Sequence, residues 1–415
     1  MAAAIAPARA DRLPAWSLFA GVLASAGLPI YLFAPAFYAE TYGVSLTTLG
    51  LLLFGLRLFD VVQDPALGWL AERLGKGKPL AVALAGLVLA LSMLGLFAVT
   101  PPIAPLIWFA LTITGLFSAF SFLTIAFYGQ GVAKAAAIDG GHVRLAAWRE
   151  TGGLLGICIA AVLPSVLLLV TGAPYAAFAW AFAALTVLAV LAMAPEWTGA
   201  SAAVAPTPLR AILADRVARQ LLLLATVNAV PLAVSSTLFL FFVQARLDAP
   251  GWEGPMLLLF FLSAALSSSF WGRLAAARGE KPVLLGAMVM AIPTFGGAML
   301  LGAGDLPWFA VVCVLSGAVI GADLTLMPAM FARRMARIAP NGGQGFGLWA
   351  FMNKLSLAFA AVLLLPLLER AGFIAGQPAP QSALTLLSVL YAGLPCALKL
   401  IAIGLLAMTR LEDAA

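Results

Sequence analysis

Three charged residues lie within two helical turns of one apolar segment, in the string Arg57-Leu-Phe-Asp60-Val-Val-Gln-Asp64-Pro65. On a helix, residues three or four positions apart lie on the same face, so Arg57, Asp60 and Asp64 form one charged stripe. An ionised side chain costs about 2.5–3.5 kcal/mol at the centre of a membrane helix on insertion scales. If this segment spans a membrane, the stripe must face a cavity or other charged groups.

Two carboxylates on one face, Asp60 and Asp64, can bind a small cation in two ways. Their oxygens are hard ligands for Na⁺, and Gln63 adds an amide oxygen on the neighbouring face. Alternatively, two close like charges favour the uptake of a proton. The sequence leaves Na⁺ and H⁺ both open. The competing interpretation is a structural Arg57–Asp60 ion pair, which leaves Asp64 without a partner.

A lysine, Lys354, lies in a second apolar segment, where a lone ammonium group requires a counter-charge. Asp60 and Asp64 are the carboxylates in the first half of the chain that can provide it. We therefore predict that Lys354 neutralises them while the cation is absent; alternatively, Lys354 extends to the membrane interface. For Lys399, in the last apolar segment, we predict this extended arrangement.

Two further charged residues have open interpretations. Asp323 lies five residues before Pro328, which frees backbone carbonyl groups, so Asp323 is either a cap or a gating residue. Arg149 begins an apolar segment together with Glu150. It is either an anchor at the inner leaflet or a cation that contacts a substrate hydroxyl or carboxylate.

The elements that position these residues are membrane helices. Of the 415 residues, 63% are apolar and 10% are charged, against about 45–50% and about 25% in soluble domains. About 20 apolar residues span a bilayer, and the sequence divides into twelve such runs. We predict an all-α integral membrane protein with twelve transmembrane helices in two six-helix halves, residues 1–194 and 217–415. A cytoplasmic loop over residues 195–216 joins them.

The basic residues are distributed unevenly between the two sides of the membrane. With the predicted spans, 18 of the 23 Lys and Arg residues lie on one side, two on the other and three inside spans. Because basic loops face the cytoplasm, we predict an inner-membrane protein with both termini cytoplasmic. The net charge of +6 then reflects topology and contact with anionic lipid, and it requires no nucleic-acid partner.

The remaining reactive residues exclude the common metal sites and most enzyme classes. The chain has one histidine, His142, and three scattered cysteines, which cannot supply the three or four nitrogen and sulfur ligands of a zinc site. The dispersed polar residues form no set of nucleophile and base. We therefore predict that the protein is not an enzyme and carries no cofactor or metal beyond a coupling Na⁺ or H⁺.

Two stretches of the chain resemble a known family, the glycoside–pentoside–hexuronide:cation symporters, which form the melibiose-permease-like branch of the major facilitator superfamily. The stretch Gly317–Pro366 is similar to spans ten and eleven of these proteins. The span-two signature is carried by Arg57-x-x-Asp60-x-x-x-Asp64-Pro65-x-x-Gly68 and Glu72-Arg73-x-Gly75-Lys-x-Lys-Pro79.

The resemblance implies a major facilitator fold and a cation-coupled symporter. It implies that Asp60 and Asp64 are cation-binding carboxylates and that Gln63 stands where the family often has asparagine. Ser121 matches a hydroxyl ligand of the cation in span four, and Lys354 matches the span-eleven lysine near that site.

The resemblance also implies where the solute binds. Arg149 matches the span-five arginine of the sugar pocket, and Tyr128 replaces an aromatic residue that packs on the sugar ring. Ala24 and Thr124 stand where the melibiose permease has two aspartates that hold galactoside hydroxyls. We therefore expect a glycoside or related sugar compound other than a galactoside; the alternative is an amphipathic lipid such as a lysophospholipid. The aromatic residues that we expect to face the cavity are Tyr31, Tyr128, Trp148 and Trp349.

Transport by this fold requires the halves to rock about a central site, and we expect a monomer to carry it out. Short basic loops that end in Lys-Pro follow spans two and eight. We predict that the loops Glu72–Lys78 and Arg273–Lys281 form salt bridges to helix ends and hold one conformation closed. The predicted gating residues are Arg57, Gly68, Glu72, Arg73, Arg273 and Asp323.

Overall fold

The structure, a computed structural model, describes residues 11–27, 33–197, 207–373 and 379–409. Within these ranges the chain is helical and has no β-strand. Tyr31 and residues 198–206 of the predicted central loop lie outside the described residues.

The first half of the chain contributes seven helices in the described ranges. Several begin with proline, whose missing N–H is not needed in a first turn. The helices are α1 (Leu13–Ser25), α2 (Ala34–Tyr42), α3 (Leu46–Arg73), α4 (Lys78–Phe97), α5 (Pro105–Ala135), α6 (Gly141–Leu168) and α7 (Pro174–Trp197).

The second half begins with a short helix in the central loop and ends with a helix interrupted by a π turn. The π turns are Phe242–Arg246, after α9, and Val389–Gly393, between α14 and α15. The helices are α8 (Leu209–Ala214), α9 (Arg216–Phe241), α10 (Glu253–Arg278), α11 (Glu280–Gly296), α12 (Leu306–Ile338), α13 (Gly343–Arg370), α14 (Gln381–Ser388) and α15 (Leu394–Met408).

Nine helical segments among the described residues are long and apolar enough to cross a membrane. The other three predicted spans coincide with α1 and α2 together, with α3, and with α13. The ends of α3, α5, α10 and α12 carry basic residues, for example Arg73, Lys134, Arg278 and Arg337. We call the side of the molecule at which these helices end the basic side.

Glycine residues bring the two halves into close contact at α3 and α13. A Cβ atom on Gly68 would lie 2.7 Å from the Gly343 carbonyl oxygen, and one on Gly347 would lie 2.8 Å from the Asp64 carbonyl oxygen. Such backbone contact is typical of small residues at helix interfaces in membranes. It places the charged stripe of α3 directly against α13, the helix that carries Lys354.

Asp215 joins the start of α9 to the end of α12. Its carboxylate caps α9 by accepting the Ala218 N–H at 2.7 Å, and it accepts a hydrogen bond from Arg334 Nε at 2.9 Å. The hydrogen bond with Arg334 lowers the pKa of Asp215 below its ordinary value. The charged form of Asp215 therefore stabilises the basic side of the second half.

We expect Asp215→Asn to lower the melting temperature near neutral pH and to have less effect in acid. A carboxyl group whose pKa is lowered by folding stabilises the fold above its unfolded pKa of about 3.9, and this stabilisation is lost as the pH falls through the folded pKa. Thermal unfolding of the purified protein between about pH 7 and pH 3 measures the difference. Asp139→Asn, at an exposed turn, is the control. An effect of Asp215→Asn that is equal at both ends of this range contradicts the charged role.

Candidate functional site

Lys354 of α13 bridges the two carboxylates of α3. Its Nζ atom lies 2.8 Å from Asp60 Oδ2 and 3.0 Å from Asp64 Oδ1, and it donates to Ser121 Oγ of α5 at 2.7 Å. Asp60 is 5% exposed and Asp64 is fully buried. Three helices from both halves thus meet in one charged cluster, which we call the carboxylate site: Asp60, Gln63, Asp64, Ser121 and Lys354.

Polar side chains extend the carboxylate site along α3 and α5. The Ser121 hydroxyl donates to Asp60 Oδ1 at 2.7 Å, and Gln63 Nε2 donates to the same oxygen at 3.0 Å. Ser118 donates to Gln63 Oε1 at 2.9 Å. Ser118 was not predicted as a site residue, although its position three residues before Ser121 places both hydroxyls on one face of α5.

One carboxylate oxygen of the site has unused bonding capacity. Asp64 Oδ2 is buried and has no hydrogen-bond partner in the described structure, and such a group is unfavourable inside a protein. The oxygens of Asp60, Asp64 and Ser121 are the groups that Na⁺ would use, and either carboxylate can take a proton. A cation that binds here shares these oxygens with Lys354.

A second polar cluster joins α5 to α6. The guanidinium carbon of Arg149 lies 3.7 Å from the centre of the Tyr128 ring, and Arg149 Nε donates to Glu150 Oε1 at 3.0 Å. The Tyr128 hydroxyl donates to the same oxygen at 2.9 Å. Arg149 is 4% exposed, and its Nη2 is buried without a partner in the part of the chain that the structure describes. Arg149 therefore has a donor left for a ligand and is packed inside the protein.

Glu150 was not predicted as a site residue. Adjacent residues on a helix do not share a face, so its contact with Tyr128 could not be inferred from its place beside Arg149. The contact requires the packing of α6 against α5.

The two clusters lie along one face of α5. Ser121, Thr124 and Tyr128 are separated by three and four residues, and a rise of about 1.5 Å per residue puts the outer two about 10 Å apart. The Thr124 hydroxyl lies between them, buried and without a hydrogen-bond partner among the described residues. A solute that contacts both clusters must therefore span about 10 Å along α5.

The other predicted cavity residues have different surroundings. Ala24 faces α6, where its Cβ would lie 3.7 Å from a Cβ atom on Gly153. The Trp349 ring centre lies 4.9 Å from that of Phe331, within the core of the second half. Trp148 is 41% exposed. A contact between these residues and a solute stays a prediction.

Glu72 connects the halves on the basic side. Its Oε1 accepts the Gln344 N–H at 2.7 Å, and its Oε2 accepts the Thr207 N–H at 3.0 Å. Gln344 lies in the first turn of α13, where backbone N–H groups are unpaired and the helix dipole favours a negative charge. Glu72 thus reaches a helix end, as predicted, but through backbone N–H groups instead of a salt bridge.

The basic residues predicted to gate contact their own helices. The Arg73 guanidinium lies 4.1 Å from the centre of the Trp69 ring. Arg273 is exposed and donates from Nε to the Ser269 carbonyl oxygen at 3.3 Å. Arg57 is half-buried on α3. Of the predicted gating residues, Gly68 and Glu72 lie in the contact between the halves.

We expect Glu72→Gln to weaken closure of the basic side. In glutamine an NH₂ donor replaces one of the two accepting oxygens, so one of the two backbone N–H groups loses its acceptor; hydrogen bonds to charged groups contribute about 1.5–3 kcal/mol. Spin labels at Lys76→Cys and Arg337→Cys, which are exposed positions in opposite halves, report the distance between the halves by electron–electron resonance. The variant should show an added population at longer distance. Glu40→Gln, at an exposed position, is the control, and identical distributions for Glu72→Gln and the parent contradict the role of Glu72.

The prediction that Lys399 extends to the membrane interface is wrong. Lys399 is 6% exposed; it pairs with Asp323 and donates to Asn228 Oδ1 at 2.7 Å. The physical reason is that Asp323 supplies a counter-charge within the same half, so the lysine need not reach water. Asp323 itself therefore lies inside the second half, away from the α3–α13 contact.

The fold is similar to that of solved transporter structures. Two crystal structures, described as a bacterial homologue of the iron transporter ferroportin in an outward-facing state, without and with soaked iron, each match with a TM-score of 0.67. Each match has 13% sequence identity and covers 95% of this chain and 98% of the other. At this identity, the likeness shows the fold alone.

The family comparison covers almost the whole chain. Among curated protein sequences, none matches this chain. The family described as MFS/sugar transport protein matches residues 17–413. The chain therefore belongs to the sugar transport family of the major facilitator superfamily, the melibiose-permease-like family that its span-two signature resembles.

Proposed function

We propose that this transporter couples the movement of a small solute to the entry of Na⁺ or H⁺ at the carboxylate site. The observation that carries the proposal is the position of Lys354 between Asp60 and Asp64, within 3.0 Å of both. The two carboxylates and the lysine together have one net negative charge. One monovalent cation makes this group neutral, which lowers the free energy of enclosing it between the halves.

The coupling of cation and solute depends on α5, which carries residues of both clusters. The cation draws on the oxygens of Asp60, Asp64 and Ser121, and Ser121 lies on the face of α5 that also carries Thr124 and Tyr128. A cation that rearranges Lys354 and Ser121 therefore changes the surface available to the solute. Such coupling is reciprocal and typically amounts to about 1–3 kcal/mol.

The proposed solute is a glycoside or a related sugar compound. Arg149 Nη2 can donate to a sugar hydroxyl, and the Glu150 carboxylate beside it can accept from one. A guanidinium group also suits a phosphate headgroup, so a lysophospholipid is the second candidate. Because the galactoside-binding aspartates are replaced by Ala24 and Thr124, we expect a sugar other than a galactoside.

Alternating access supplies the direction of movement. The contacts of Glu72 and Gly68 close the basic side, so cation and solute enter from the opposite side and leave when the halves rock. We propose that the basic side is cytoplasmic, as the distribution of Lys and Arg predicts. The protein then acts as a monomer in the inner membrane with both termini in the cytoplasm.

A thermal-shift screen of the purified protein tests this function. Glycosides and lysophospholipids are added with and without Na⁺ and across pH, at constant ionic strength. A bound ligand at 100 times its Kd stabilises the protein by about 2.7 kcal/mol. We expect a glycoside to raise the melting temperature more when the coupling cation is present. A shift with lysophospholipids alone favours the second candidate, and no cation-dependent ligand shift contradicts the proposed coupling.

A further inference from the structure

The second half of the chain contains a partly open cavity of about 130 Å³. Helices α9, α10, α11 and α12 form its walls together with the π turn Val389–Gly393 and α15, and its lining residues all lie between 231 and 399. The carboxylate site and the Arg149 cluster include residues of α3, α5 and α6. This cavity is therefore a separate feature, which we call the C-terminal cavity.

The walls of the C-terminal cavity are largely apolar and include several aromatic rings, and one end is charged. Phe239, Phe260, Phe309 and Tyr391 are among the lining residues, and Asp323 and Lys399 lie at the polar end. An apolar cavity of about 150 Å³ binds benzene in a well-studied engineered case. The C-terminal cavity therefore fits one aromatic ring or an aliphatic group of similar size.

Asp323 presents an unused acceptor at this polar end. The residue is 7% exposed; it pairs with Lys399 through Oδ2, and its Oδ1 is buried without a hydrogen-bond partner among the residues that the structure describes. Leaving such an oxygen without a donor is unfavourable. A ligand that donates a hydrogen bond removes this penalty.

Two other polar groups of the lining, Ser235 and Ser316, can also accept. The Ser235 hydroxyl donates to the Pro231 carbonyl oxygen at 2.9 Å, and the Ser316 hydroxyl donates to the Val312 carbonyl oxygen at 2.6 Å. Their protons are thus used, and only their lone pairs face a ligand. Because Lys399 already balances the charge of Asp323, a neutral donor suits the cavity better than a second cation.

We propose that the C-terminal cavity is a binding site for a neutral hydroxyl compound with an apolar body about the size of benzene. The hydroxyl donates to Asp323 Oδ1, and the apolar body packs among Phe239, Phe260 and Phe309. The site does not depend on the carboxylate site or on the coupling proposed above, and binding to it is measured without transport.

Saturable binding of radiolabelled phenol to the full-length protein in lipid nanodiscs tests the proposal, with partition into empty nanodiscs subtracted. Toluene, which has a similar size and no hydroxyl, serves as the competitor. Toluene cannot donate a hydrogen bond to the charged Asp323. We therefore expect the concentration of toluene that displaces labelled phenol to be at least roughly tenfold higher than that of unlabelled phenol. Equal displacement by the two compounds overturns the assignment of the hydroxyl to Asp323.

Two variants of α11 locate the binding. Ala291 lines the cavity, so Ala291→Phe should fill it and abolish saturable phenol binding. Val289 is 53% exposed on the same helix and is not a lining residue, so Val289→Phe should bind phenol as the parent does. Binding that is absent in the parent, or equal in both variants, overturns the proposal.

A third variant, Asp323→Asn, tests the acceptor. It should weaken phenol binding roughly tenfold because the charged acceptor is removed. Unchanged affinity overturns the role of Asp323. If this variant does not fold, the toluene comparison and the two α11 variants still decide the question.

Discussion

Asp64→Asn is expected to abolish cation-driven accumulation of the solute while the protein still folds and reaches the membrane. Asp64 is fully buried and lies 3.0 Å from Lys354. Asparagine keeps the shape but removes the negative charge, so Lys354 and Asp60 form a neutral pair that no longer attracts a second cation. The cation should then no longer raise the affinity for the solute, an effect that typical coupling free energies put at about 5- to 150-fold.

The measurement is uptake, into proteoliposomes with an imposed Na⁺ or H⁺ gradient, of the solute that the thermal-shift screen identifies. Equilibration of the solute without a gradient should persist in Asp64→Asn, which separates lost coupling from lost folding. Asp139→Asn changes the same residue type at an exposed turn and should accumulate solute normally. Normal accumulation by Asp64→Asn would show that Asp60 and Asp64 do not form the cation site.

Lys354→Met is expected to make the stability of the protein depend strongly on the coupling cation. Removing one partner of a buried ion pair destabilises a protein by about 3–5 kcal/mol, and here two carboxylates are left without their ammonium group. A bound Na⁺ or proton returns the net charge of the site to that of the parent. The melting temperature of the variant should therefore rise more steeply than that of the parent with Na⁺ concentration or with acid.

A double variant separates this effect from a general loss of packing. In Lys354→Met with Asp64→Asn, one carboxylate charge is removed together with the lysine, so the excess negative charge becomes smaller. The double variant should lose most of the added cation dependence, which appears as a coupling term in the double-mutant cycle. If the single and double variants respond equally to Na⁺ and to pH, Lys354 does not act through the carboxylates.

The core of the carboxylate site is predictable from charge and helical spacing. Asp60 and Asp64 share a face because they are four residues apart, and a lysine deep in an apolar helix must find a counter-charge. These two rules bring Lys354 to the carboxylates. The role of Ser121 came from the family resemblance alone, because a serine in a membrane helix has many ordinary explanations.

The contacts that were not predicted depend on the backbone or on tertiary packing. Glu72 bonds to the N–H groups of Gln344 and Thr207, and a backbone N–H has no signature in the sequence. Lys399 is paired because α12 brings Asp323 to α15, which the spacing within either helix does not reveal. Gly68 was predicted as a gating residue. The close approach of α3 to α13 also requires Gly343 and Gly347 on the opposite helix.

Solute-driven cation entry into proteoliposomes tests directly whether the carboxylate site couples the solute to a cation. Radioactive Na⁺ and an enclosed pH-sensitive dye report both candidate ions when the solute is added without a pre-formed cation gradient. We expect that the parent moves one of these ions with the solute, and that a variant with Asp60→Asn and Asp64→Asn moves the solute without either ion. Equal cation entry per solute in the parent and the double variant would contradict this expectation.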